Sequence, residues 1–342
     1  MEININEILQ KLQAGQELSA REAYDTILAI QEDQLSGPQI MGFQVALLMK
    51  GPTLTEISAI AGAMRDHCIP VMPRVSEELM DTCGTGGGLS TFNISTAVSF
   101  VAAAAGIKVA KTGSRSSTTL SGSADVLEAL GVQIHQTQKG VERMIEEVGI
   151  GFLYAPLFHP VMQKMIHPEQ ELGIKTIFYT IIGPLINPAR ATRHVMGVYK
   201  PELLDKVSQV AASLHYTRAL FVYGEDGMDE ISLLGRTKIH ELKNGSIESY
   251  ELVPEELGLT RCKLNDILTG TPEANAVMIK DVFSGKNKGP RRQAVILNAA
   301  GALMIGDKAD TWKEGAVLAK EIIDSGAAQK KLNEFIEASH SY

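Results

Sequence analysis

From about residue 78 the chain alternates short apolar β-like runs with helical segments, and this alternation restricts the possible fold more than any other feature. The runs are 79–82, 107–111, 132–135, 151–155, 219–223 and 294–297. Between them, residues 95–105 read as a helix stopped by Gly106, and residues 125–130 as one stopped by Gly131. Strands separated by helices pair through crossovers, so the pattern predicts an α/β fold with a mainly parallel sheet. In such sheets the loops at the carboxyl ends of the strands hold the ligand. A final amphipathic helix is expected from Lys313 to about Glu337.

Residues 1 to about 72 follow a different rule. Leu9, Leu12 and Leu18 surround a first turn, and Ser19 caps a helix over 20–31 with Ala23, Ile27 and Ile30 on one face. Pro38 begins a helix whose stripe runs through Ile40, Phe43, Ala46 and Leu47. Thr53 and Glu56 form a capping box for a helix over 57–64, and Pro70 and Pro73 break the pattern. A small helical bundle without visible chemistry is expected to supply packing or a dimer surface. At about 150 residues per domain, a chain of this length divides into about two.

Composition narrows the function classes. Thirty-two basic against 40 acidic side chains give a net charge of −8, with no basic stretch to attract nucleic acid. Three cysteines, Cys68, Cys83 and Cys262, form no C-x-x-C pattern and fit a reducing cytoplasm. No secretory signal is visible at the N-terminus, and the apolar stretch 97–110 is too short and interrupted to span a bilayer. The expected location is therefore cytoplasmic.

Three loops carry the chemistry. The first, Asp81-Thr82-Cys83-Gly84-Thr85-Gly86-Gly87-Gly88-Leu89-Ser90-Thr91-Phe92-Asn93-Ile94-Ser95-Thr96, joins four glycines to the polar start of a helix. Such a loop turns backbone N–H groups toward an anion, and a helix N-terminus favours phosphate or diphosphate. It is neither a Walker A loop nor a dinucleotide fingerprint, since no Gly-Lys-Ser/Thr follows and Leu89 stands at the third glycine position. A tight turn with an ordinary cap would also place glycines here; the following Asn-Ile-Ser-Thr favours the anion site. The second loop, 111–125, brings Lys111 and Arg115 together with many hydroxyls. The third places Glu225, Asp226, Asp229 and Glu230 directly after an apolar strand. An exposed acidic turn would look the same, but beside two phosphate loops these oxygen ligands suit Mg²⁺. His159 and His167 lack the H-E-x-x-H pattern, no G-x-S-x-G elbow is present, and Gly183-Pro184-Leu185-Ile186-Asn187-Pro188 reads as a rigid turn. Lys286, Lys288, Arg291 and Arg292 read as a solvated basic loop.

Over essentially its whole length the chain resembles the anthranilate phosphoribosyltransferase family of tryptophan biosynthesis. The matching motifs include Gly84-Thr85-Gly86-Gly87, Thr91-Phe92-Asn93-Ile94-Ser95-Thr96, the stretch 122–131, His159-Pro160, Leu172-Gly173, Asn187-Pro188, Asp229-Glu230-Ile231-Ser232 and Leu297-Asn298-Ala299-Ala300. The resemblance implies a fold of the nucleoside phosphorylase/phosphoribosyltransferase class. A helical domain would cover 1–72, joined by part of 160–195, and an α/β domain 73–342, with a homodimer formed through the helices. It implies 5-phosphoribosyl diphosphate (PRPP) bound with Mg²⁺ between the domains. Gly84, Thr91, Asn93, Ser95, Thr96, Lys111 and Ser123 would bind PRPP. The two loops extend this set to Thr85, Gly86, Gly87, Gly88, Ile94, Gly113, Ser114, Arg115, Ser116, Ser117, Thr118 and Thr119. Ser95, Asp229 and Glu230 would position the metal, with Asp229, Glu230 and Lys111 as the catalytic groups.

The acceptor side, expected to comprise Gly84, Thr112, Ser114, His159 and Glu169, departs from the family. The family's Lys-His-Gly-Asn-Arg is here Lys111-Thr112-Gly113-Ser114-Arg115, and its anthranilate-binding arginine aligns with Glu169. The glycine loop also lacks the family's Asp after Gly-Gly and is one residue shorter before Thr91. Exchange of Arg for Glu would set a carboxylate against a carboxylate substrate. The expectation is therefore phosphoribosyl transfer from PRPP to an aromatic or heteroaromatic amine other than anthranilate, with anthranilate itself as the alternative. A non-catalytic nucleic-acid-binding relative and a nucleoside phosphorylase are alternatives of other kinds.

Overall fold

The computed structural model describes residues 3–116, 120–174 and 176–342. Ser117, Thr118 and Thr119 of the expected donor site lie outside the described residues.

The chain begins with helices α1 (Ile5–Gln13), α2 (Ala20–Gln31), α3 (Gly37–Lys50) and α4 (Leu54–Asp66). Ser19 with Glu22, and Thr53 with Glu56, form the reciprocal hydrogen bonds of capping boxes. Helix α4 starts at Leu54, ahead of the expected 57, because Thr53 is its cap. Ala23, Ile27, Ile30, Phe43, Leu47, Ile57 and Ile60 form the shared core of these helices. Glu56 ties the bundle together. Its fully buried carboxylate accepts from Leu18 N–H at 2.8 Å, Thr53 N–H at 2.7 Å and Lys50 Nζ at 2.7 Å.

Then follow β1 (Met80–Asp81), α5 (Ile94–Ala104), β2 (Val109–Gly113), α6 (Ser123–Leu130), α7 (Gln138–Arg143), β3 (Ile150–Tyr154), α8 (Ala155–Phe158) and α9 (Pro160–Leu172). Beyond a π-helical turn over Phe178–Ile182 come α10 (Gly183–Leu185), β4 (Arg193–Gly197), α11 (Leu203–Ser213), β5 (Arg218–Gly224), β6 (Thr237–Lys243) and β7 (Ser246–Leu252). Helices α12 (Pro272–Phe283), α13 (Pro290–Ile305), α14 (Trp312–Asp324) and α15 (Ala327–Ser339) complete the chain. Helix α9 leaves the α/β layer and packs on α2 and α3, so Val161, Met162, Met165 and Phe178 join the N-terminal core.

The sheet order is β3-β2-β1-β4-β5-β6-β7, parallel from β3 through β5 and antiparallel beyond. The chain moves from β1 outward through β2 to β3, then returns to the other side of β1 with β4. The carboxyl ends of β1 and β4 therefore flank a topological switch point, where an open α/β sheet leaves a crevice for ligand.

Two expected strands are absent. Residues 132–135 have no regular structure and are tied to the C-terminal helix instead: Gln133 N–H donates to Ser339 Oγ at 3.0 Å. Residues 294–297 lie inside α13, where a short apolar run is equally a turn of a helix buried on all sides. The expected final helix is two, α14 and α15, separated at Gly326 with φ +77°.

Breaking the buried Lys50–Glu56 pair tests the bundle. Burial pushes the Glu56 carboxyl up, but its Leu18, Lys50 and Thr53 donors outweigh this and hold it below its ordinary value of 4.5. Glu56→Gln strands a Lys50 ammonium whose side chain is 6% exposed, at an expected cost of about 3 kcal/mol near neutral pH. A depressed carboxyl stabilises above its ordinary pKa and loses that contribution as pH falls through the folded value. Denaturant titration should therefore show the gap between wild type and variant narrowing below about pH 4.5.

Candidate active site

Where β1 and β4 end, a cavity of about 800 Å³ opens beneath α9. Its floor depends on three backbones meeting without side chains. A Cβ on Gly197 would lie 1.5 Å from the Asp229 carbonyl oxygen, and one on Gly88 would lie 2.4 Å from Asp229 Oδ1. The end of β4, the glycine loop and the acidic segment after β5 are therefore in direct contact. Asn298 on α13 fixes the last of these, accepting from Ile231 N–H and donating to the Ile231 carbonyl, both at 2.9 Å.

The four acids of that segment separate in space. Glu225 faces Arg236 and Lys238, while Asp226 accepts from the Met228 N–H and the Ser232 hydroxyl. Only Asp229 and Glu230 reach the cavity wall. Burial pushes the Asp229 carboxyl up to about 6 against hydrogen bonding from its own and the Gly86 backbone. Burial and the adjoining Asp229 charge raise Glu230 well above its ordinary range, although Thr91 Oγ1 donates to Glu230 Oε2 at 2.7 Å. A cation beside this pair would remove both penalties. Ser95 lines the same cavity, completing a set of oxygen donors that suits a hard divalent ion. Among the described residues no cluster of three or more His, Cys, Asp or Glu side chains could hold a metal. An ion here would take its other ligands from hydroxyls, water or bound phosphate.

Of the expected donor residues, Gly84, Thr85, Gly86, Gly87, Gly88, Thr91, Asn93, Ser95, Gly113, Ser114, Arg115, Ser116 and Ser123 line the cavity. Three turn elsewhere. Ile94 is in the core, and Thr96 is buried with its hydroxyl on Ser123 Oγ at 3.3 Å. Lys111 is 2% exposed, and its Nζ donates to Thr82 O at 3.4 Å and Thr82 Oγ1 at 3.3 Å behind the wall. Burial lowers the Lys111 pKa. The Arg115 guanidinium is already paired, with Asp125 at 3.1 Å and with Glu128 at 2.9 Å.

Beneath the loops lies a buried hub. Asp81 at the end of β1 accepts from Thr82 N–H at 2.7 Å, Thr112 N–H at 3.1 Å, Asn187 Nδ2 at 2.7 Å and the Thr112 hydroxyl. Asn187 also donates to the Ala110 carbonyl at 2.8 Å, so the turn 183–188 braces both loops. His194 Nε2 lies 2.7 Å from the Cys83 carbonyl, and burial keeps this imidazole neutral by lowering its pKa.

On the acceptor side Gly84, Thr112, Ser114 and His159 line the cavity. His159 is buried, its pKa is driven down to about 4, and its Nδ1 has no hydrogen-bond partner among the described residues. Met162, Gln163, Ile166, His167 and Gln170 add a face of α9 that sequence reasoning missed. Their spacing of three and four residues was the available signal.

A glycosyl transferase family a/b-domain profile matches residues 76–329, and the family's helical bundle domain matches 6–68. The anthranilate phosphoribosyltransferase of Acetivibrio thermocellus is 45% identical over 339 residues, 99% of this chain and 97% of that protein. That of Methanobrevibacter smithii is 43% identical, over 98% and 100%. The chain belongs to the anthranilate phosphoribosyltransferase family. The Thermus thermophilus enzyme of the family superposes with a TM-score of 0.91 at 38% identity, covering 97% of this chain and 99% of that one. The Saccharomyces cerevisiae enzyme in complex with PRPP and Mg gives 0.90 at 28% identity, over 99% and 98%. No described helix is long and apolar enough to cross a membrane.

Within this family fold, Glu169 requires a correction. It was expected to face the acceptor, but it is 4% exposed and absent from the cavity wall. Its carboxylate accepts from Gln44 Nε2 of α3 at 2.8 Å and from the Thr176 hydroxyl, inside the helical layer. The next residue, Gln170, takes the cavity-facing position. Glu169→Arg should therefore lower stability by about 3 kcal/mol, because it buries an unmatched guanidinium. The acceptor KM should stay unchanged; thermal melting and steady-state kinetics on one preparation check both.

Proposed function

We propose that this protein transfers the 5-phosphoribosyl group from PRPP to anthranilate, with Mg²⁺, releasing diphosphate. The observation that carries the donor half is the half-buried Asp229–Glu230 pair on the floor of a cavity walled by the glycine loop and the start of α5. Such a pair needs a cation, and the loop's N–H groups need an anion. The name shared by the relatives, and the PRPP and Mg of the yeast structure, support the same reading. The sequence argued against anthranilate because Ser114 and Glu169 depart from the family together, and the glutamate would face the substrate's carboxylate. With Glu169 turned into the helical layer, that repulsion is removed.

In this reading C1 of the ribose loses its bond to the diphosphate oxygen, and the electron pair leaves with diphosphate. The amine nitrogen forms the new C1–N bond and then releases a proton. Bound Mg²⁺ supplies charge stabilisation for the leaving diphosphate. Asp229, Glu230 and Ser95 hold that charge in place, and the N–H groups around Gly86 and at the start of α5 meet the developing anion. Lys111 acts from behind the wall through Thr82. His159, held neutral by burial, offers a ring nitrogen to the acceptor without adding charge. No strong base is needed, because an arylamine becomes acidic once it has attacked. Positioning therefore supplies much of the rate. A homodimer through the helical bundle belongs to the same proposal, and light scattering reads it.

Purified protein with PRPP and Mg²⁺ should release diphosphate on addition of anthranilate, at about 1 s⁻¹ or faster. Release only with another arylamine would assign a different acceptor to the same donor site. Asp229→Ala should lower turnover about hundredfold and raise the Mg²⁺ concentration needed for half-maximal rate.

A further inference from the structure

We infer that Asn275, on the first turn of α12, is a positioning residue of the donor site. It holds the Asn93 side chain away from the helix terminus that Asn93 would otherwise cap. The inference rests on the reading of this cavity as the PRPP site, and it concerns a fully buried residue that the mechanism above does not use.

Asn93 stands at the N-cap of α5. An asparagine there ordinarily turns its side-chain oxygen back onto the second or third N–H of the helix. In this chain it does not. Its Oδ1 accepts instead from Asn275 Nδ2 at 2.8 Å and from the Ser121 hydroxyl at 3.1 Å, while its Nδ2 donates to the Ser121 carbonyl at 3.2 Å. The groups that an ordinary cap would occupy are the N–H groups of Ser95 and Thr96. Among the described residues neither of these has an acceptor. They stand at the N-terminus of an 11-residue helix whose Ser95 lines the cavity, where a phosphate oxygen is the natural acceptor.

Asn275 can hold Asn93 because its own amide is fixed. Its Oδ1 accepts from Gly270 N–H at 2.8 Å, and its Nδ2 donates to Thr269 Oγ1 at 3.0 Å as well as to Asn93. A backbone N–H can only donate, and a backbone carbonyl can only accept. Gly270 N–H therefore sets which end of the Asn275 amide faces Asn93, and the Ser121 carbonyl sets the Asn93 amide in the matching sense. The segment that supplies Gly270 is tied in turn to the glycine loop. Phe92 N–H donates to the Ile267 carbonyl and Thr269 N–H to the Ser90 carbonyl, both at 3.0 Å. One buried amide thus joins α12, the end of the glycine loop and Ser121 of the second loop. Removing it frees Asn93 to cap its own helix and to compete with phosphate for Ser95 and Thr96.

The test uses the full-length protein as wild type, Asn275→Ala and Asn275→Leu, leucine filling the space that alanine leaves. Crystal structures without ligand read the orientation directly. Asn93 Oδ1 should stay on Asn275 in wild type and move to within about 3 Å of the Ser95 or Thr96 nitrogen in both variants. Steady-state kinetics should show the PRPP KM about tenfold higher in both variants, with kcat and the acceptor KM changed less. In an Asn93→Ala background the same substitutions should leave the PRPP KM within about twofold, whereas a general loosening of the fold would act in either background. An Asn93 side chain that caps α5 in wild type would overturn the inference. So would one that stays in place in the variants, or an equal rise in KM with and without the Asn93 side chain. A wild type that neither binds nor turns over PRPP, with Asn93 moving as expected in the variants, would remove the donor-site reading and leave the hold on Asn93 standing.

Discussion

Two adjacent carboxylates, Asp229 and Glu230, stand half-buried against the backbone of a glycine loop, and much of the site is organised around that placement. Desolvation drives both toward their neutral forms, and the neighbouring charge raises Glu230 further. The chain compensates only in part, with the Thr91 hydroxyl on Glu230 and the Gly86 backbone on Asp229. Glycine at 88 and 197 is the steric condition for the arrangement, because any side chain there would displace the Asp229 segment. A site built in this way is incomplete by itself. Its remaining stabilisation comes from a cation and the polyanion that accompanies it.

The same cavity needs walls that do not yield when such a ligand enters. Asp81, fully buried, supplies rigidity by drawing donors from β1, β2 and the turn 183–188 onto one carboxylate. Each hydrogen bond to a buried charge is stronger than a neutral one, and the network stays favourable only while every donor is present. The turn thereby links the helical layer to the roots of both phosphate loops.

Much of this was legible in the sequence, and the exceptions have physical causes. Ser19, Pro38 and Thr53 mark the helix starts because capping and the fixed φ of proline are local effects. Four of the five parallel strands were visible as short apolar runs because they are buried on both faces; β4 was not, because Arg193 and His194 interrupt its apolar run. Residues 294–297 misled through the same burial: four apolar residues have no periodicity to separate strand from buried helix. The β6–β7 hairpin was overlooked although Asn244-Gly245 carries its signature, with φ +49° and +83° at the turn. In the site, residues whose backbone does the work were found through their glycines. Glu169 was misplaced because aligning it with a family arginine says nothing about which side of α9 it occupies. Asp81 and Asn298 carry no chemistry of their own, and only the three-dimensional network gives them a role. Lys111 was expected at the phosphates because charge was visible and burial was not.

The central claim is that the carboxylate pair exists to hold a cation against a polyanion. Calorimetric titration of PRPP into wild type and Asp229→Asn/Glu230→Gln, with excess Mg²⁺ and again with chelator, tests it most directly. The account predicts a crossing: wild type binds PRPP more tightly with Mg²⁺, whereas the neutralised pair binds at least as tightly without it. Equal enhancement by Mg²⁺ in both proteins would contradict the claim and leave the two acids as structural groups.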